Sequence, residues 1–313
     1  MKPAHVVLLL FVVVALLAAA GLYADVSALA QQMAAFRWIV LAPALALAFA
    51  NYVVRFGKWH YFLGTVHGSV PKRDSALVFF SGLSMSVTPG KLGELLKAYL
   101  LQERCNVPPA ATMPVVVAER LTDLLALIVL SAFGVATLGY GWDILAAAAA
   151  LCVPVLVVAL WRRGGEWVLG LLARLPVLRS KKDLFAGLQE ALYTLVGARC
   201  LTLGTALSVA AWFAECVAFL LVARAAGVDL SLANATFIYS LGTIAGAVTM
   251  LPGGLVATEA GMVFLLAEFF RAASPAQAVT AVLIVRLCTL WFAVAVGFVA
   301  LALGKIPARH RAG

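Results

Sequence analysis

Two proline-glycine interruptions constrain the fold of this chain more than any other feature. One reads Thr88-Pro89-Gly90-Lys91-Leu92-Gly93-Glu94 and the other Leu251-Pro252-Gly253-Gly254-Leu255, and each lies inside a long apolar stretch. Proline removes a backbone donor and collides with the preceding helical turn, while glycine frees the chain to bend. In hydrocarbon such broken backbone survives only where protein or a water-filled cavity shields it. Paired breaks in corresponding positions of two halves point to the central site of a transporter.

The hydrocarbon setting follows from composition. Of 313 residues 64% are hydrophobic and only 12% charged, against roughly 25% charged in soluble domains. The chain is therefore read as an all-α integral membrane protein. It has no polar window long enough for a separate soluble domain, which removes the usual place for a catalytic module. The net charge of +9 is concentrated in a few loops. In a membrane protein, basic loops report cytoplasmic orientation and contact with anionic headgroups, and no nucleic-acid-binding motif accompanies them. The five cysteines, Cys105, Cys152, Cys200, Cys216 and Cys288, have no pairing or metal spacing and read as small packed hydrophobes. His60 and His67 are assigned to a polar loop. No metal or cofactor is expected.

Six full spans are expected, over residues 5–24, 37–56, 110–134, 143–162, 198–226 and 277–304. Residues 5–24 fit either a signal peptide or a first span, and the length of the apolar run favours a retained helix. Stretches 74–103 and 233–271 carry the two breaks. The first is left with arms of about 15 residues, or ~22 Å of helix, short for a bilayer crossing. Both stretches are read as re-entrant hairpins or pairs of short tilted helices. Segment 165–195 reads either as an interfacial helix or as a plain connector.

Loop charge tests this arrangement. Arg55, Lys58, Lys72 and Arg73 assign residues 55–73 to the cytoplasm, and Arg162, Arg163, Arg174, Arg179, Lys181, Lys182 and Arg199 assign 162–199 to the same side. Two full spans separate these loops, so stretch 74–103 has to begin and end inside. Lys305, Arg309 and Arg311 place the C-terminus inside as well, so stretch 233–271 has to begin and end outside. The N-terminus is also assigned to the cytoplasm. The result is one membrane domain with two inverted repeats, about 37–134 and 198–304. Residue patterns agree: Pro89-Gly90 matches Pro252-Gly253, Glu94 matches Glu259, and Ala118-Glu119-Arg120-Leu121 matches Ile284-Val285-Arg286-Leu287.

Arg120 and Arg286 reach comparable depth from opposite ends of their helices. An intramembrane arginine costs at least ~2.5 kcal/mol and needs a partner or an aqueous path. One reading is a structural brace, Glu94 with Arg120 and Glu259 with Arg286; the other is that one or both guanidinium groups hold a phosphate. Backbone amides freed at Gly90, Lys91, Gly253 and Gly254 are further candidates for anion binding at helix N-termini. Glu119 and Asp123, four apart on one helix face, and Glu215 within span 198–226 are candidates for proton coupling or for neutral hydrogen-bonded roles. Lys91 and Lys97 are assigned to charge anchoring at the cytoplasmic surface. Phe36, Trp38, Trp59, Tyr61 and Phe62 are assigned to interfacial aromatic belts.

The runs FFSGLSMSVTPGKLGELLKAYLL, PVVVAERLTDLLALIVL and LPGGLVATEAG together resemble the lysylphosphatidylglycerol synthase transmembrane-region family, also called flippase-like, over nearly the whole chain. In members that make lysyl-phosphatidylglycerol, this region is similar to a lipid flippase and is joined to a soluble aminoacyl-transfer domain. That domain has no counterpart here, so the synthase activity is not implied. Some stand-alone members are associated with hopanoid or other envelope-lipid pathways. The second motif departs from the family pattern at Val256, where a glycine is expected after Leu255.

The sequence thus points to a non-enzymatic lipid flippase of a bacterial inner membrane that moves an anionic or polar-headgroup lipid between leaflets. Its binding residues would be Pro89, Gly90, Lys91, Glu94, Arg120, Pro252, Gly253, Gly254, Glu259 and Arg286. An accessory protein bound to an envelope-lipid biosynthesis enzyme is the first alternative, and a membrane-embedded lipid-modifying enzyme the second.

Overall fold

A computed structural model describes residues 25–88, 96–139, 142–143, 145–146, 150 and 192–304. The expected span 5–24, most of span 143–162, the basic stretch 162–191, the C-terminal basic residues, and Pro89, Gly90, Lys91 and Glu94 lie outside these residues.

Helix α1 (Val26–Ala35) starts at Asp25, whose carboxylate accepts from the Ser27 amide at 2.8 Å. A short turn then leads into α2 (Leu41–His67), 27 residues long. Next come α3 (Lys72–Gly82), a 3-10 turn Leu83–Met85, α4 (Leu96–Cys105), and the 30-residue α5 (Pro109–Leu138). The second half begins with the 28-residue α6 (Ala198–Ala225), followed by α7 (Leu232–Val248). A turn at Pro252–Gly254 precedes α8 (Ala257–Phe264), which runs into a π-helical turn, Leu265–Phe269. Finally α9 (Pro275–Arg286) passes through a second π turn, Leu287–Trp291, into α10 (Phe292–Leu303).

Among the described residues each half therefore has the same order: a long helix, two shorter helical segments, and another long helix. The long helices measure ~40–45 Å, while α3 and α4, with 11 and 10 residues, reach only ~17 Å. Among the described residues, Trp38–His67, Ala198–Ala225, Pro252–Phe269 and Pro275–Leu303 are long and apolar enough to cross a membrane.

The halves interlock reciprocally. Their first helices, α2 and α6, pack along each other, α5 packs on α7, and α10 packs on α3 and its 3-10 turn. The last long helix of each half thus lies on the first hairpin arm of the other. Glycine permits both close approaches. A Cβ at Gly134 of α5 would sit 2.7 Å from the Phe237 Cβ, and one at Gly297 of α10 would sit 2.1 Å from the Ser84 nitrogen. Within the second hairpin, Gly242 and Gly246 of α7 form a small-residue face against α8, receiving Met262 and Thr258.

Helix α2 runs past the span end expected at residue 56. Trp59, Phe62 and Leu63 continue its apolar face into a core with Val78, Phe79, Leu101 and Val115. Arg55 and Lys58 consequently lie in the buried part of a helix. Of the four charges assigned to the first cytoplasmic loop, only Lys72 and Arg73 are exposed. Trp59 and Phe62 are core residues instead of belt residues, whereas Trp38 is half exposed. His60 also belongs to α2, with its Nδ1 3.1 Å from the Ser75 hydroxyl.

Val256, at the position where the family resemblance expects glycine, adopts φ 73. A β-branched residue in this left-handed region is strained, by about 1–2 kcal/mol. Val256→Gly relieves that strain against a smaller entropic loss. The expected outcome is a gain of about 1 kcal/mol, read as a higher Tm in detergent-solubilised protein.

Candidate functional site

The two interrupted segments meet. A Cβ on Gly253 would lie 3.4 Å from the Val87 Cα, and Leu290 of the second π turn comes within 3.2 Å of the same point. Val87 stands two residues before Pro89 in sequence. The second break is built from Gly253 at φ 62 and Gly254 at φ 66, conformations that glycine adopts without a Cβ clash.

Several backbone groups of the second break find partners within the protein. The Gly254 amide donates to the Leu251 carbonyl at 2.9 Å, closing the turn. Gly253 offers its carbonyl, which accepts from Arg286 Nη2 at 2.7 Å. Arg286 Nε donates to Glu259, near the start of α8. The expected Glu259–Arg286 pair is therefore present. Of the amides assigned to anion binding, that of Gly254 is engaged in the turn, while Gly253 also contributes its carbonyl to Arg286. The negative charge at the start of α8 is the protein's own Glu259, in the position that a helix dipole favours.

A larger ionic cluster joins α2, α4, α5 and α6. Asp123 of α5 is its centre. Its Oδ1 accepts from Lys58 Nζ at 2.7 Å and from the Ser208 hydroxyl at 2.9 Å, while Oδ2 lies 3.5 Å from Arg55 and 3.3 Å from Arg120. Lys58 has zero exposure and also donates to Ser208 at 2.6 Å and Thr122 at 3.1 Å. Lys97, only 1% exposed, pairs with Glu119 at 3.0 Å and lies over the Trp59 and Phe79 rings. It is thus a buried ion-pair residue and not a surface anchor. Gly82 makes room for its stem: a Cβ there would be 2.7 Å from Lys97 Cγ.

Glu119 and Asp123 do share a helix face, and each is matched by a lysine from another helix. Among the described residues four cations, Arg55, Lys58, Lys97 and Arg120, face these two carboxylates. Arg120 has the most accessible side chain of the four, at 26%. Its ion-pair partner among the described residues is Asp123, and Glu94, the partner expected from sequence, lies outside them.

Glu215 is part of a separate network. Tyr239 donates to its Oε2 at 2.6 Å, and nearby Tyr52 donates to the Thr289 carbonyl inside the π turn. Ser131 with Ser240, at 2.8 Å, and Asn51 with the Ala211 carbonyl, at 2.8 Å, cross-link the two halves further.

Sequence reasoning missed Arg55, Lys58, Lys97 and Ser208 as site residues. A signal existed for the first two. Asn51, Arg55, Lys58 and Phe62 recur at helical spacing, a polar seam leading into an aromatic core position.

A model of the family described as lysylphosphatidylglycerol synthase TM region matches residues 6–297. The chain belongs to this family. It is also 24% identical over 289 residues to a UPF0104 membrane protein of Methanothermobacter thermautotrophicus, an alignment covering 84% of this chain and 85% of that protein. With its several apolar helices, this member of the synthase TM-region family is a multi-pass membrane protein.

Removing one partner of a buried ion pair leaves the other charge uncompensated, at a cost of about 3–5 kcal/mol, whereas apolar replacement of both is far milder. For the Glu259–Arg286 pair, Arg286→Met alone is expected to lower Tm in detergent much more than Glu259→Leu with Arg286→Met. Equal losses in the two proteins would show that the pair does not hold the hairpin.

Proposed function

We propose that this protein moves a lipid with an anionic headgroup between the leaflets of a bacterial inner membrane, without chemical change to the lipid. The observation that carries this reading is the meeting of Val87 with Gly253, together with a buried ionic cluster in which Arg55, Lys58, Lys97 and Arg120 face Asp123 and Glu119. The first half contributes helical arms too short to cross, and the interrupted segments of both halves offer a place where broken backbone and charge are shielded by protein. Family membership supports a lipid-related role.

In this reading the two halves are inverted repeats within six full spans, and both termini face the cytoplasm. Lys72 and Arg73 are the exposed basic residues that support that orientation for the first hairpin. Arg120, the most accessible cation of the cluster, receives the phosphate, for which guanidinium geometry is suited. Arg286 holds the second hairpin through Glu259 and the Gly253 carbonyl. Pro89, Gly90, Lys91 and Glu94 would complete the site from the first hairpin. Acyl chains stay in the bilayer while one half rocks against the other. Glu119, Asp123 and Glu215 are the carboxylates available for proton coupling. An enzyme of envelope-lipid biosynthesis would supply the cargo.

Leaflet-resolved transport in proteoliposomes tests this reading, using phosphatidylglycerol with a reporter on one acyl chain. Wild-type protein is expected to equilibrate the reporter, and Arg120→Ala to slow it at least ~10-fold, the scale of a lost charge-assisted contact. Undiminished transport by folded Arg120→Ala, Arg286→Ala protein would reject the site. Wild-type protein that moves no lipid but co-purifies with a lipid synthase would favour the accessory role.

A further inference from the structure

The helix formed by α9 and α10 touches both hairpins. Arg286, at the end of α9, holds Glu259 and the Gly253 carbonyl of the second hairpin. Gly297, in α10, is seated against Leu83 and Ser84 at the end of the first arm of the other hairpin. Between these contacts the helix departs from α geometry over Leu287–Trp291. There the Phe292 amide reaches back to the carbonyls of both Leu287 and Thr289. Leu290 of the same turn packs on Gly253, where Val87 also arrives. A π turn holds one residue more than the α turn it replaces, and such turns recur at functional sites.

A buried side chain from outside this helix, among the described residues, donates to a backbone carbonyl of the turn. Tyr52 of α2, 1% exposed, lies among Ala48, Leu83 and Ala293 with its ring against Phe292. A phenylalanine would fill that space equally well. What the tyrosine adds is its hydroxyl, which donates to the Thr289 carbonyl. Three residues further along α2 stands Arg55, facing Asp123 in the ionic cluster. Displacement of α2 by a headgroup entering that cluster would therefore reach the π turn directly.

We propose that Tyr52 is a positioning residue: its hydroxyl holds the π turn Leu287–Trp291 in register and so keeps the tips of the two hairpins together until the ionic cluster is engaged. The role deepens the transport reading and rests on it. Release of the Thr289 carbonyl lets the turn change register. Arg286 and Gly297 then shift relative to each other, and the contact of Val87 with Gly253 opens.

The test uses full-length protein in which Cys216 is kept, the other four cysteines are replaced by serine, and Val87→Cys is added. Maleimide labelling is followed with and without Tyr52→Phe, at a temperature well below Tm. Loss of a neutral hydrogen bond is expected to raise labelling of the Val87→Cys thiol about three- to ten-fold. Labelling of fully buried Cys216 should not change. Faster amide exchange confined to 287–292 is the parallel expectation. No rise at position 87, or an equal rise at Cys216, would overturn the proposal by showing no effect or general loosening. A selective rise in protein whose wild type moves no lipid would keep the positioning role and reject transport.

Discussion

Backbone broken within hydrocarbon has to find its partners in protein, because neither water nor lipid can supply them. Most of the described architecture can be traced to that requirement. Gly254 closes its own turn onto Leu251, and Gly253 hands its carbonyl to Arg286. Arg286 in turn needs a counter-charge, which Glu259 provides from the start of α8. The tip is then covered by Leu290 and by Val87 of the other half. Each step satisfies a group that the previous step left buried. The reciprocal packing of α5 on α7 and of α10 on α3 brings both interrupted segments under this shared cover.

The halves share an order of elements but differ in chemistry. Among the described residues, the ionic cluster around Asp123 draws Arg55, Lys58, Lys97, Glu119 and Arg120 from the first half and Ser208 from the second. The second half contributes the Arg286–Glu259 pair and the Glu215–Tyr239 hydrogen bond. Among the described residues, the same order of elements thus carries different polar chemistry in the two halves.

The paired interruptions were legible because proline and glycine act locally: their effect on a helix does not depend on what surrounds them. The same holds for the common face of Glu119 and Asp123, fixed by helical periodicity, and for the pairing of Glu259 with Arg286, which a membrane setting demands. What escaped the sequence is tertiary. Arg55 and Lys58 look like loop charges until Asp123 and Ser208, distant in the chain, are brought to them. Lys97 resembles a surface anchor until Gly82 opens a slot for its stem and Glu119 meets its ammonium. The π turn at Leu287–Trp291 has no composition of its own, and the contacts that Tyr52 and Glu259 make to it and to Arg286 come from distant parts of the chain. Val256 was visible as a departure from the family pattern, but only its backbone angle shows that the departure is strained.

The proposed transport path requires two hairpins that enter the bilayer from opposite faces and meet inside it. The most direct measurement is sidedness of labelling at the ends of each hairpin, using single thiols at exposed positions in sealed vesicles. Ser69→Cys and Glu103→Cys are expected to react from one face, and Asp229→Cys and Ser274→Cys from the other. Ends of a single hairpin reacting from different faces would turn that segment into an ordinary crossing and contradict the account.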